Sequence, residues 1–533
     1  MVRRIVLASI AVLLVASVLL AVLVHPAWWV LAGIALALTA VAVYDVVQRR
    51  HSILRNYPIL AHARFAMESI RPEIQQYFIE RNHDGRPFDR DTRTVVYERA
   101  KGIHASKAFG TERDVNEIGY EYLIHSTAPV LPPSEPVKVR VGSSQCTVPY
   151  DIALLNVSAM SYGALSPPAV NAMNRGAAMG GFAQDTGEGG ISRFHLEGGG
   201  DLIWEIGSGY FGARDASGAF DPARFAERAA LPQVKMVELK LSQGAKPGLG
   251  GVLPGPKVTE PIAEARGVPL GQDCISPAGH AAFSTPRELV QFLGRMRELA
   301  GGKPAGFKLC VGSRAEVLAI CKAILDEGIY PDFIVVDGSE GGTGAAPLEY
   351  SDHVGTPLTE GLMTVHNALV GTGLRKQIKI GAAGKVALAS DLVKRLIQGA
   401  DWTNAARAMM MATGCIQAQA CHTNECPVGV ATQDPKRYAA LDVTDKAVRV
   451  ARFQQATTAE AMQILASMGV SSHQELHPDL LRRRISHTTT MAYSQLYDWL
   501  DEGELLAEPP RQWALDWERA DPDTFHIARS VLR

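Results

Sequence analysis

Three cysteines crowd into a dozen residues: Cys415, Cys421 and Cys426 stand in the run GCIQAQACHTNECP at 414–427. Thiolates are soft ligands, suited to iron–sulfur clusters or to zinc. Three of them fit a cluster with three irons, or a four-iron cluster with one open position, and a proline after the last cysteine recurs in cluster-binding runs. His422 would complete a zinc set, but it adjoins Cys421 and is poorly placed to reach the same metal. Three unrelated buried thiols are the remaining reading. The other four cysteines, Cys146, Cys274, Cys310 and Cys321, are scattered. An odd total of seven in 533 residues argues against a disulfide framework and for a reducing compartment.

A second chemical signal is glycine. Many of the 49 glycines fall in clusters directly after short apolar runs. The clusters at 158–166, 187–190, 243–255, 338–344 and 382–385 suit loops that wrap a phosphate or a flat ring, although any one of them could simply need a turn with positive φ. The elements that would carry these loops follow a rhythm. Strands are expected at 153–160, 234–241, 306–311, 333–337, 377–380 and 400–405. Helices are expected at 168–179, 286–299, 314–327, 359–369 and 386–397. Alternation of this kind argues for a parallel sheet covered by helices, and the number of units favours a closed (β/α)8 barrel. The loops that follow the strands of such a barrel share one face, where active sites form.

The amino-terminal region has a different character. Residues 5–24 carry no charge, and at ~1.5 Å per residue they are long enough to cross a bilayer. His25 and Pro26 break the run, and residues 27–44 form a second uncharged stretch with Trp28, Trp29 and Tyr44 near its ends. Arg3 and Arg4 precede the pair and Arg49, Arg50 and Arg55 follow it, so the positive-inside rule puts both ends in the cytoplasm. A cleaved signal peptide would have a shorter apolar core and a small-residue cleavage site, and a buried soluble helix pair would show a polar face. The expected organisation is therefore a transmembrane hairpin at 1–50, a mixed cap at 51–150 with a helix at 70–81, a barrel at 151–440 and a helical extension at 441–533. The composition, 47% hydrophobic and 20% charged with a net charge of −2, has no basic block that would bind nucleic acid.

The segments SAMSYGALS (158–166), TGEGG (186–190), LSQGAKPGLGGVLPGPKV (241–258), DGSEGGTGAAP (337–347) and GCIQAQACHTNECPVGVATQ (414–433) resemble, in order and spacing, the FMN-binding synthase domain of glutamate synthases. The resemblance covers residues 140–440 and is nearest to a shorter branch of FMN-binding glutamate synthase family proteins. It implies FMN on the loop face and a [3Fe-4S] cluster on Cys415, Cys421 and Cys426. Implied flavin contacts are Ala159, Met160 and Ser161, then Lys308 at the flavin N1 edge, then Gly341 and Gly342. Gly384, Lys385, Ala406 and Arg407 match the phosphate loops, where backbone N–H groups at a helix start would suit the anion. An ordinary barrel-end salt bridge is the other reading of Lys308. Glu188 and Lys246 match residues at the family's substrate site, where the lysine would bind a carboxylate and the glutamate handle a proton; a structural ion pair between them is the alternative.

The chain also departs from the family pattern. Leu249 and Val252 stand in KPGLGGVLPG where KPGEGGQLPG is usual, and Gly-Ala-Ala-Gly-Lys replaces Asp-Gly-Gly-Leu-Arg in a phosphate loop. Lost polar contacts of this kind shift specificity. No glutaminase nucleophile and no nicotinamide fingerprint are recognised, so ammonia and electrons are expected from outside, the latter from a ferredoxin or a reductase at the membrane. The leading expectation is a flavin oxidoreductase acting on a 2-oxo acid through an imine. A glutamate-linked amine or N-methyl transferase subunit and a membrane-bound electron carrier are the alternatives.

Overall fold

The computed structural model describes residues 2–104 and 106–526, and the chain divides into two compact units, Met1–Arg90 and Asp91–Arg533. In the first unit, helices α1 (Val2–Leu23) and α2 (Trp28–Val47) form an antiparallel pair joined by the turn at His25 and Pro26. Both are long and apolar enough to cross a membrane, and little of either is buried. The helix expected at 70–81 begins earlier. It runs as α3 (Leu60–Ile74), takes Pro72 into its last turn and continues into a wide π turn at Gln75–Ile79. Proline removes an N–H donor from the helix interior, and a widened turn is one way a helix accommodates the break.

In the second unit, among the described residues, eight parallel strands close into one barrel: β1 (Leu155–Val157), β2 (Gln184–Asp185), β3 (Leu202–Ile206), β4 (Val234–Lys240), β5 (Ala305–Leu309), β6 (Phe333–Asp337), β7 (Lys379–Ala383) and β8 (Trp402–Ala405). The ring closes through Leu155 against Thr403 and Val157 against Ala405. Six of the strands match the expected rhythm. Two were not expected: β2 has two residues, too short to show a period, and β3 (LIWEI) carries a glutamate in a wholly buried run. Alternation explains that glutamate. Trp204 faces outward and stacks on Phe225 of helix α5 (Pro222–Ala229), at 5.1 Å between ring centroids, and the next residue, Glu205, turns into the barrel.

The outer helices use ordinary start signals. Ser166 caps α4 (Pro167–Gly180) by accepting from Ala169 N, and Thr285 caps α6 (Pro286–Leu299) by accepting from Glu288 N. Helices α7 (Arg314–Glu327), α8 (Leu358–Gly371), α9 (Ala389–Ile397) and α10 (Arg407–Thr413) continue the ring. The carboxy-terminal stretch is only partly helical, which corrects the expectation of a helical extension. After α11 (Val443–Ser467), strands at Leu481–Arg484 and Thr490–Ala492 join Glu121–Leu123 in a small antiparallel sheet. Residues 527–533 lie outside the described residues.

Helix α11 lies against α4, and Gly176 sits in their contact. A Cβ there would sit 2.8 Å from the carbonyl oxygen of Ala447 and 2.8 Å from Val450. Gly→Ala within a helix ordinarily stabilises by ~1 kcal/mol, but overpacking against a backbone atom costs ~1–3 kcal/mol. Gly176→Ala is therefore expected to lower the thermal midpoint, followed by circular dichroism; an unchanged or raised midpoint would show that the two helices can separate freely.

Candidate functional site

The expected site residues come from the carboxyl ends of several strands. Ala159, Met160 and Ser161 follow β1 and are half-buried; Glu188 follows β2; Lys308 lies on β5; Gly341 and Gly342 follow β6; Gly384 and Lys385 follow β7; Ala406 and Arg407 follow β8. Glycine lets these loops touch. A Cβ at Gly187 would lie 2.5 Å from Ser161 N, one at Gly244 would lie 1.9 Å from Gly338 O, and one at Gly342 would lie 2.8 Å from the Arg407 side chain. The loops after β1 and β2, after β4 and β6, and after β6 and β8 are thus drawn into contact on one face. Lys385 holds a left-handed φ of 50°, and Arg407 donates through Nη2 to Glu340 O at 2.8 Å. Ala406, the residue before α10, has no side-chain oxygen with which to cap that helix.

Inside the barrel Lys308 is buried and ion-paired to Glu205, with Glu238 Oε1 at 3.7 Å from its Nζ. Burial opposes the ammonium, yet Glu205, Glu238, Asp185 and Asp337 outweigh it and hold the lysine well above its ordinary range. Burial pushes Asp185 up to about 7, with the charge of Glu205 adding to the effect. Glu238 is driven well above the carboxylate range by burial and then by Asp185. Asp185, Glu205 and Glu238 present ligand oxygens within 4.8 Å of one another. Nothing local marks these three acids in the sequence: Asp185 sits in a strand of two residues, Glu205 and Glu238 sit in largely apolar strands, and only barrel closure brings the three together.

Glu188 does not pair with Lys246. Its Oε1 meets Lys240 Nζ at 3.0 Å, and Gln243 Oε1 also accepts from that ammonium. Lys240 ends β4 with its side chain toward the site, whereas Lys246 lies beyond a turn in which Ala245 takes φ 63°. Burial alone would raise the pKa of Glu188, but Lys240 first, then Arg266 and Lys246, bring it below the usual carboxylate range. Lys246 is half-buried; burial and the charge of Lys240 lower its pKa against the pull of Glu188. Behind Glu188 the chain has no side chains to spare: a Cβ at Gly207 or Gly251 would fall 2.6 or 2.7 Å from its carboxylate oxygens. Val252, one residue on from Gly251, is 61% exposed and pairs with Ile275 in a two-stranded ribbon, and Leu249 is also at the surface. His280 was missed as well; its Nε2 lies 2.8 Å from Lys240 O and its Nδ1 3.1 Å from Tyr210 OH.

Cys415, Cys421 and Cys426 line one small cavity with Met410, Pro427 and Val428. His422 is exposed and outside that lining, so a fourth ligand from it is not supported. Gln417 N donates to Cys415 Sγ at 3.4 Å, made possible by a left-handed φ of 59° at Gln417. Burial pushes the Cys415 thiol up to about 12 and raises Cys421, with the neighbouring sulfurs adding to both. Three thiols facing one cavity form a donor set that fits a metal cluster, since a cation would offset the charge that three neighbouring thiolates accumulate. The loop is tied to the barrel's loop face: Gln433 Nε2 donates to Gly163 O at 3.1 Å and Leu165 O at 2.7 Å, and Lys257 Nζ reaches His422 O at 3.5 Å.

A closed parallel barrel that delivers ionised groups and tightly apposed glycine loops to one face defines an enzyme of the (β/α)8 class. Residues 133–471 match the conserved region in glutamate synthase. The glutamate synthase large subunit-like protein YerD of Bacillus subtilis is 37% identical over 469 residues, covering 80% of this chain and 89% of that protein. The archaeal-type glutamate synthase [NADPH] of Thermotoga neapolitana is 37% identical over 320 residues, covering 60% of each chain. The flavin-binding domain of baker's yeast flavocytochrome b2 superposes with a TM-score of 0.40 at 12% identity, over 82% of this chain and 91% of that one. The chain belongs to the glutamate synthase family and is a glutamate synthase-like oxidoreductase.

The Glu188–Lys240 pair makes a pH-dependent expectation. In Lys240→Met the carboxylate stays enclosed without its partner, a change that costs on the order of 3 kcal/mol for a buried pair. In the parent, a depressed folded pKa contributes stability above the unfolded carboxylate value of ~4.3 that is lost as pH falls through the folded value. In the variant the folded pKa rises, so ionisation opposes folding as pH climbs. Denaturant titrations are thus expected to show a gap between parent and variant that opens above that pH and closes in acid; a gap independent of pH would mean the loss is one of packing.

Proposed function

We propose that this chain holds FMN on the loop face of its barrel and a [3Fe-4S] cluster on Cys415, Cys421 and Cys426, and forms an amino acid by reductive amination of 2-oxoglutarate or a related 2-oxo acid. Electrons come from an external donor such as a ferredoxin or a reductase, and ammonia comes from outside the barrel. The two apolar helices of the first unit seat the protein in the cytoplasmic membrane with the barrel on the cytoplasmic side. The observation that carries this reading is the gathering of Glu188, Lys240 and Lys246 at the strand ends of a barrel in the glutamate synthase family.

Bound FMN supplies a hydride, and the cluster supplies electrons one at a time. The chain's own residues do the rest. Lys246 binds the carboxylate of the oxo acid, and the incoming anion offsets the repulsion of Lys240. Glu188, kept ionised by Lys240, accepts hydrogen bonds from the ammonia-derived nitrogen and holds it by charge beside the oxo acid. Ala159, Met160, Ser161, Gly341 and Gly342 bed the flavin ring. Gly384, Lys385, Ala406 and Arg407 would hold its phosphate, and Lys308 would supply a positive charge to the ring, with Glu205 and Glu238 setting the position of that ammonium. The exposed Val252 offers no hydrogen bond to the substrate, which favours a 2-oxo acid that needs none at that position.

Purified anaerobically in detergent, reduced and mixed with 2-oxoglutarate and ammonium, the protein is expected to regain oxidised-flavin absorbance as glutamate forms. Lys246→Met is expected to raise KM for the oxo acid while leaving the flavin spectrum in place. A protein that carries FMN and iron but stays reduced with every oxo acid tried would overturn the aminating role and favour electron carriage.

A further inference from the structure

We propose that α3 and the π turn after it form an in-plane membrane helix, lying on the anionic inner surface of the bilayer that α1 and α2 cross. The inference rests on the reading of α1 and α2 as spans and adds a second mode of lipid contact. At 3.6 residues per turn, Leu60, Met67, Ile70 and Ile74 fall within about 80° of one another on α3. Most of that stripe is not covered by protein: Leu60, Met67 and Ile70 are exposed, Met67 at 59%, and Phe78, beyond the helix end, is 84% exposed. Arg64 and Arg71 border the stripe on its Leu60 side, Ser69 stands about 140° from its middle, and Glu73 lies beyond its Ile70 edge. Residues 48–81 hold six arginines against three glutamates. An apolar stripe edged by arginines suits the boundary between acyl chains and anionic headgroups.

The turn from α2 into α3 is built rather than loose. Asp45, near the end of α2, is buried and accepts from His62 Nε2 at 2.9 Å and from Ile59 N at 2.8 Å. Ile59 takes a left-handed φ of 63°, which a β-branched residue adopts only under constraint. One carboxylate thus fixes where α3 leaves the end of α2, and Arg49, Arg50 and Arg55 lie in the connecting segment. Continuity with the spans and the arginine excess select a lipid surface over a protein groove as the occupant.

The test uses the full-length protein in vesicles of phosphatidylglycerol and phosphatidylcholine in equal parts. An environment-sensitive fluorescent amino acid is encoded singly at position 15, 67, 69 or 78, and lipids carrying shallow or deep spin labels serve as quenchers. The expected result is loss of emission at 67 and 78 with shallow quenchers, retained emission at 69, and loss at 15 with deep quenchers. Quenching at 15 with none at 67 and 78 overturns the in-plane helix while the hairpin stands, and assigns the stripe to protein contact. Equal quenching at 67, 69 and 78 overturns it too, since an immersed helix has no dry and wet faces. No quenching at 15 removes the hairpin and this inference together.

Discussion

An ammonium enclosed by carboxylates inside the barrel is the constraint around which the catalytic unit is arranged. Lys308 from β5 meets Glu205 from β3 and Glu238 from β4, with Asp185 from β2 and Asp337 from β6 close enough to act on its charge. Desolvating such charges costs several kcal/mol per ion, and only close opposite charges return it. Five neighbouring strands must therefore end at matching heights, or a charge is left alone in a dry interior. The excess of acid over base there shows in the carboxyls themselves: Asp185 and Glu238 are both held above the usual carboxylate range by burial and by the charge of a neighbouring carboxylate.

From that floor the site rises in glycine. Gly187 against Ser161, Gly244 against Gly338, and Gly207 and Gly251 against Glu188 are places where a single methyl group would occupy space already held by backbone or carboxylate. These glycines remove side chains so that loops from different strands can form one wall. The three-cysteine loop is a second wall, and it depends on the first. Gln433 reaches into the turn after β1 and donates to the carbonyl oxygens of Gly163 and Leu165, while left-handed residues at Gln417, Gln419 and Asn424 shape the cysteine loop. The cysteine loop and the barrel loop are thus one hydrogen-bonded assembly.

Much of this was visible in the residues and part of it was not. Six strands announced themselves as short apolar runs, most of them ahead of a glycine cluster; β2 was too short to show a period, and β3 hid a glutamate between Trp204 and Ile206. Cys415, Cys421 and Cys426 were legible from spacing alone, and the cavity they share agrees with that spacing. Glu188 and Lys246 were legible as a glutamate and a lysine in glycine-rich runs, but the partner of Glu188 was not Lys246. Lys240 ends a strand whose pattern reads as ordinary, and nothing local distinguishes it from a surface lysine.

The sequence by itself determined the two apolar helices, the succession of strand and helix, the glycine loops and the three thiols, because each of these is a local property of length, period or spacing. Only the tertiary structure decided which charges meet. Barrel closure sets the height at which each strand ends, so Lys240 rather than Lys246 reaches Glu188, and Asp185, Glu205 and Glu238, spread over 54 residues of chain, surround one lysine. Charge pairing in a dry interior depends on a few ångströms of distance, and those distances are fixed by the register of strands far apart in sequence rather than by the residues beside them.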